Sequence, residues 1–160
     1  MSIGAHSFFC DTMLGRLAKW LRLMGYDADY RNEIDDWEML RLCRREGRLL
    51  LTRDTSIMER WYVTRSMVKA LLVDGDDTAR QLSYITNQLS LKTPDDPRCP
   101  ECNLPLHELL REDARGRVPP YVYETQKEFR ICSSCGRIYW KATHWDRIER
   151  VRKDPKALSK

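Results

Sequence analysis

Two Cys-x-x-Cys pairs, Cys99-Pro-Glu-Cys102 and Cys132-Ser-Ser-Cys135, constrain this 160-residue chain more than any other feature. Thiolates two residues apart on a turn can both reach one tetrahedral ion, and a second such pair completes the coordination. Gly136 directly follows the second pair, where a small residue lets the turn aim its amides at sulfur. The spacing predicts a zinc ribbon over residues 99–140, with Cys99, Cys102, Cys132 and Cys135 holding one structural Zn²⁺. Four thiolates leave no open coordination position, so this metal is expected to shape the fold rather than carry chemistry. The 29 residues between the pairs imply a lengthened hairpin. His107 and His144 are substitutes that four cysteines make unnecessary. Cys10 and Cys43, the remaining two, lie in apolar surroundings within predicted elements, and nothing supports a disulfide framework.

The first 91 residues read differently. Residues 7–10 form an apolar run, and residues 12–24 carry Leu14, Leu17, Ala18 and Leu21 at helical spacing before Gly25. Residues 27–30 suit a short strand. Residues 36–46 suit a helix with Asp35 or Asp36 as N-cap and Gly47 as stop. A strand at 49–52, a short helix at 55–62, a strand at 68–73 and a helix at 78–89 complete the series. Strands alternating with helices favour an α/β unit with a parallel sheet covered on both faces. Polar residues and two prolines mark 92–98 as a linker, residues 99–140 show hairpin-like pieces, and 141–160 form a basic C-terminal tail.

Charge divides along the same line. Residues 1–97 carry 14 Lys and Arg against 15 Asp and Glu, whereas 98–160 carry 14 against 9. The positive excess belongs to the C-terminal part, where nucleic acid is a natural partner. Apolar stretches are far too short for a membrane span, and the N-terminus lacks a secretory signal pattern, so the expected location is cytoplasmic with no membrane partner.

Aspartates fall just beyond the predicted strands: Asp11 after 7–10, Asp54 after 49–52, and Asp74, with Asp76 and Asp77, after 68–73. In an open parallel sheet the strand C-termini share one edge, where sites are built. Several carboxylates there would raise one another's pKa unless a divalent cation neutralised them. Hard oxygens suit Mg²⁺ or Mn²⁺, which activates water and offsets phosphodiester charge. Asp35 or Asp36 is placed to join them. The competing role for each Asp is to cap the helix that follows. Arg16, Lys19 and Arg22 recur at i, i+3, i+6 past Asp11 and, with Arg53, are candidate phosphate contacts or an ordinary solvated face.

The segment Phe9-Cys10-Asp11-Thr12-Met13-Leu14-Gly15-Arg16-Leu17-Ala18-Lys19-Trp20-Leu21-Arg22 followed by Gly25-Tyr26-Asp27 resembles the start of the Mut-seven C-terminal RNase family. The likeness continues through Gly47-Arg48-Leu49-Leu50-Leu51-Thr52-Arg53-Asp54, Arg98–Asn103 and Cys132–Trp140. It implies a PIN-like ribonuclease domain fused to a zinc ribbon. It further implies metal-dependent, endonucleolytic hydrolysis of RNA, with Asp11 and Asp54 as the best-matched acids and Asp36 as the third Mg²⁺ or Mn²⁺ ligand. Asp74 competes with Asp76 and Asp77 as the fourth acid. Thr12 and Thr52 are the hydroxyls near the expected polar position. The ribbon would then grip RNA, with Arg147, Arg150, Arg152 and Lys153 on phosphates; Tyr139 and Trp140 either stack on bases or pack beside the knuckle. PIN-like domains often pair, which adds a homodimer to the expected partners. The rival class is a noncatalytic RNA-binding or adaptor protein, and a receiver-like signalling domain is a third that leaves the ribbon unexplained.

Overall fold

The computed structural model describes residues 6–92, 96–140, 150, 153 and 154. The tail positions Arg147 and Arg152, and His144, lie outside the described residues. Four short strands, β1 (Ser7–Cys10), β2 (Asp27–Tyr30), β3 (Leu49–Thr52) and β4 (Ala70–Leu72), form one parallel sheet in the order β2-β1-β3-β4. A parallel sheet needs a crossover at every step. These are a 3₁₀ turn (Thr12–Leu14) and α1 (Gly15–Leu23), then α2 (Asp36–Glu46), then α3 (Thr55–Met58) and α4 (Trp61–Thr64); α5 (Thr78–Leu89) follows β4.

The doublets Phe8-Phe9 and Leu50-Leu51 explain why the sheet is buried on both faces, since successive side chains point opposite ways. Phe8, Cys10, Ala28 and Leu51 pack against Leu14, Leu17, Ala18 and Leu21 and against Leu82 and Ile85 of α5. Phe9 and Leu50 pack on the other side against Met39, Leu40 and Cys43 of α2, with Ile57 and Val68. Burial pushes the Cys10 and Cys43 thiols up to about 12, so both are inert hydrophobes at neutral pH.

Two boundaries differ from expectation. The helix expected over 55–62 is two single turns, because Arg60 takes an extended backbone (φ −63°, ψ 140°) between them. The strand expected over 68–73 is Ala70–Leu72; at its start the Val68 amide bonds the Tyr62 carbonyl instead of the ladder, while past its end the Val73 amide still bonds the Thr52 carbonyl.

Past residue 96 the chain forms an antiparallel sheet, β5 (His107–Leu109), β6 (Phe129–Ile131) and β7 (Ile138–Trp140). The long gap between the cysteine pairs holds two short helices, α6 (Arg111–Ala114) and α7 (Pro120–Thr125), where hairpin alone was expected. They bury Ala114, Val118 and Val122 on Phe129, a small core separate from the one around Cys99, Leu106 and Cys132.

Candidate active site and metal centre

The strand order turns at β1: the chain leaves it toward β2 on one side, then continues with β3 and β4 on the other. The carboxyl ends of β1 and β3 therefore bound the crevice where open α/β sheets bind ligands. Asp11 leaves β1 there, its amide bonded to the Leu51 carbonyl at 3.0 Å. Its side chain is buried, at 6 % exposure. Oδ1 accepts the Thr12 amide at 2.6 Å and Oδ2 accepts the buried Thr52 hydroxyl at 2.7 Å. The same Thr52 oxygen accepts the Asp54 amide at 3.0 Å. One hydroxyl thus ties the two strand-end acids into a single rim.

Asp54 is half-exposed and caps α3: its Oδ1 accepts both the amide and the hydroxyl of Ser56, at 2.8 and 2.7 Å. Those bonds hold its carboxyl below the usual range, so it is charged at neutral pH. Capping and rim membership coexist here. Sequence reasoning missed Ser56, although the spacing Thr52-x-Asp54-x-Ser56 is the signal for it.

At α2 the two candidates separate. Asp35 is the cap, accepting the Glu38 amide at 2.9 Å, while Asp36 in the first turn pairs with Arg60 at 3.4 Å. Asp74 bonds the Gly75 amide and lines a cleft with Arg80 and Tyr84; Asp77 caps α5. A neighbouring open cleft of about 500 Å³ is lined by Met13, Arg16, Arg53, Asp76 and Gln81, so two of the candidate phosphate contacts share one space. Arg53 leans on Asp76 at 3.7 Å. Gly15 is there for a close approach, since a Cβ would stand 3.0 Å from the Tyr30 ring.

The other two α1 cations serve a different end. Arg22 is buried; its Nε donates to the Ala28 carbonyl at 2.8 Å and its Nη1 to the Pro100 carbonyl at 2.7 Å. Lys19 pairs with Glu101 at 2.8 Å. The expectation that Arg22 faces phosphate from a solvated helix side is corrected: its guanidinium is engaged at both ends by backbone carbonyls of the sheet and the ribbon. Arg150 and Lys153 are exposed or at the end of the described tail, apart from both clefts' linings.

Among the described residues, the four cysteines are the one group of three or more metal-ligating side chains whose donor atoms all lie within 4.8 Å of one another. Sulfurs on a tetrahedral zinc at about 2.3 Å stand about 3.8 Å apart, and Cys99 and Cys135 are 3.8 Å apart. The set fits a structural metal such as zinc. Amides of Cys135 and Ser134 overcome burial and hold the Cys132 thiol down to about 7, whereas neighbouring thiols help to push Cys135 up to about 11. The Tyr139 hydroxyl lies 3.2 Å from Cys99 Sγ and Trp140 packs on the Phe129 core, so both aromatics pack within the ribbon.

The two knuckles are built alike: Asn103 and Gly136 donate backbone N–H to Cys99 and Cys132 carbonyls, both at 2.9 Å. Both take left-handed backbone, φ 60° and 70°, which glycine favours and asparagine tolerates. Asn103 uses its side chain as glycine could not. Oδ1 accepts the Ala28 amide at 3.1 Å and Nδ2 donates to Asp27 at 2.7 Å. Ala28 lies on β2, the sheet's edge, and Asn103 and Arg22 together satisfy its outward amide and carbonyl. Arg48 completes the joint at 2.8 Å from Asp27. Despite partial burial, Arg48 and Asn103 hold the Asp27 carboxyl below its ordinary value.

Comparison with known families matches the chain to the Mut7-C RNAse domain over residues 6–152. Neither curated proteins nor solved structures gave a match. Among the described residues no helix is long and apolar enough to cross a membrane.

Proposed function

The chain belongs to the Mut7-C RNase family, a ribonuclease-type protein with an RNA substrate, and from that premise we propose that it is a metal-dependent endoribonuclease whose centre is the Asp11–Thr52–Asp54 rim. The observation that carries this reading is the shared Thr52 hydroxyl, which joins two acids from different strands at the sheet's switch point. Asp11 and Asp54 are the acids we assign to a Mg²⁺ or Mn²⁺ ion, with Asp36 and Asp74 as flanking acids. When bound, that ion would supply an activated water and offset charge on the phosphodiester.

The chain's own groups do the rest. Thr12 and Thr52 fix the Asp11 carboxylate: Oδ1 accepts the Thr12 amide at 2.6 Å and the Thr12 hydroxyl at 3.3 Å, while Oδ2 accepts the Thr52 hydroxyl and keeps a further lone pair. Ser56 keeps Asp54 ionised. Arg16 and Arg53, in one cleft beside the rim, suit backbone phosphates on either side of the scissile bond. The zinc ribbon fixes the sheet's far edge through Asn103, and assists RNA binding through its basic flank. We place the protein in the cytoplasm, where the four ribbon thiols stay reduced and available to a metal.

The test is cleavage of end-labelled RNA with Mn²⁺ and then with EDTA, using Asp11→Asn as the control for contaminating nuclease. Cleavage should stop with EDTA and fall about a hundredfold or more in Asp11→Asn, the scale for losing one group that stabilises transition-state charge. Wild-type cleavage by Asp11→Asn would refute the assignment. RNA binding without cleavage would leave the adaptor role in its place.

A further inference from the structure

On the flank of the rim stand three aromatic rings that the nuclease reading does not use: two exposed tryptophans on either side of the half-buried Tyr62. Trp37, Tyr62 and Trp61 stand in sequence, with ring centroids 5.9 Å apart for the first pair and 4.2 Å for the second. Two helices supply them. Trp37 opens α2, and Trp61 and Tyr62 open α4, which exists as a separate turn only because the chain breaks at Arg60. Tyr62 does the packing, against the core below α2. The two tryptophans remain 44 % and 45 % exposed, which is too much for rings whose task is to fill a core.

Cations bracket the row. The Arg60 guanidinium lies 5.6 Å over the Trp37 ring and that of Arg44 5.9 Å over Tyr62. Arg60 also bonds Asp36 and helps to hold Asp54 ionised. Hydrogen bonds link Asp11 to Thr52 and Thr52 to Asp54, and Arg60, which pairs with Asp36 and lies over Trp37, sits close enough to add its charge to the field at Asp54. Exposed π-faces interleaved with guanidinium groups match one polymer chemically: a strand whose bases stack while its phosphates meet arginine. A duplex hides its base faces inside its own stack and cannot use such a surface.

Resting on the nuclease reading, we propose that Trp37, Tyr62 and Trp61, with Arg44 and Arg60, form a stacking platform that holds unpaired bases of single-stranded RNA beside the scissile phosphate. The protein would thus select single strands, or unpaired segments of structured RNA, over duplex.

The experiment measures binding, in the Asp11→Asn background, of a labelled single-stranded RNA oligomer and of the blunt duplex made by annealing its complement. The variants are Trp37→Leu with Trp61→Leu, which keep apolar bulk and remove the π-faces, and Trp37→Phe with Trp61→Phe, which keep both. Single-strand affinity should fall about tenfold or more in the leucine variant, given the usual contribution of a stacked base. It should recover in the phenylalanine variant, while duplex affinity stays unchanged. Equal single-strand affinity in parent and leucine variant overturns the platform, as does an equal loss for duplex. A leucine variant that fails to fold leaves the phenylalanine variant decisive: single-strand affinity below one tenth of the parent's would also overturn it. Cleavage of the same oligomer by the protein with Asp11 intact separates the two claims. Cleavage with unaltered binding removes the platform alone, whereas absence of both cleavage and binding removes the nuclease reading with it.

Discussion

The sheet and the ribbon solve the same problem of holding a short chain in one shape by opposite means. The sheet buries Phe8 and Phe9, Leu50 and Leu51 on two faces, and its stability comes from apolar area removed from water. The ribbon has two small clusters, one of which is built around its own metal ligands. Such a module depends on coordination for its fold. The two are joined at a β2 edge that the sheet leaves open and the first knuckle closes.

Metal removal should give the largest separation between them. Structural zinc contributes about 10–16 kcal/mol of apparent binding energy. A strong chelator, or Cys132→Ser, should therefore release the ribbon while the sheet stays folded. Hydrogen exchange reads this directly. The Phe129 and Ile131 amides should lose protection, Phe9 and Leu50 should keep theirs, and the Ala28 amide, bonded to Asn103, should follow the ribbon. Loss of all protection in one step would mean that the two parts are a single cooperative unit.

A smaller effect separates the two knuckles. Asn103→Gly keeps the left-handed turn but removes the bonds to Ala28 and Asp27, and should cost about 1–3 kcal/mol. The reciprocal Gly136→Asn should cost less than about 1 kcal/mol, because asparagine tolerates that backbone and nothing lies within 4 Å of a Cβ there. Thermal unfolding of the zinc-loaded protein ranks them. Equal penalties would show that the turn, not the docking side chain, is what Asn103 supplies.

The least effect concerns pH. Asp27 is held below its ordinary range by Arg48 and Asn103, so its contribution is fully present above the unfolded carboxylate value of about 3.9 and is lost as pH falls through the depressed folded value. The stability gap between the parent and Asp27→Asn should be flat from neutrality to about pH 4 and narrow below it. A gap that widens in acid would reverse the assigned sign.

Much of this was legible in the sequence, and for a physical reason. β1, β2, α2, β3 and α5 fall where the apolar runs and caps place them, because a sheet buried on both faces writes itself as unbroken hydrophobic doublets and each helix ends at Gly, Ser or a polar turn. The strand-end position of Asp11 and Asp54 followed from the same alternation, and their common rim follows from strand order. What was hidden depended on tertiary partners. Arg22 has the spacing of a solvated cation, yet its guanidinium lies between two backbone carbonyls that are 6 and 78 residues away in sequence. The break at Arg60 has no glycine or proline to announce it. The α6 and α7 turns are too short to show a helical period. Asn103, standing where the other knuckle has Gly136, carried a signal that went unread: an asparagine in a turn that glycine would fit has a side chain with a task.

We propose the Asp11–Thr52–Asp54 rim as a second metal centre, of hard oxygen ligands, independent of the sulfur centre in the ribbon. Electron paramagnetic resonance of Mn²⁺ titrated into the zinc-loaded protein tests it without any RNA. Mn²⁺ binding should be saturable and should weaken about tenfold or more in Asp11→Asn, at least the scale for disturbing a metal's outer shell, with zinc content unchanged. Identical Mn²⁺ binding by the two proteins would contradict it.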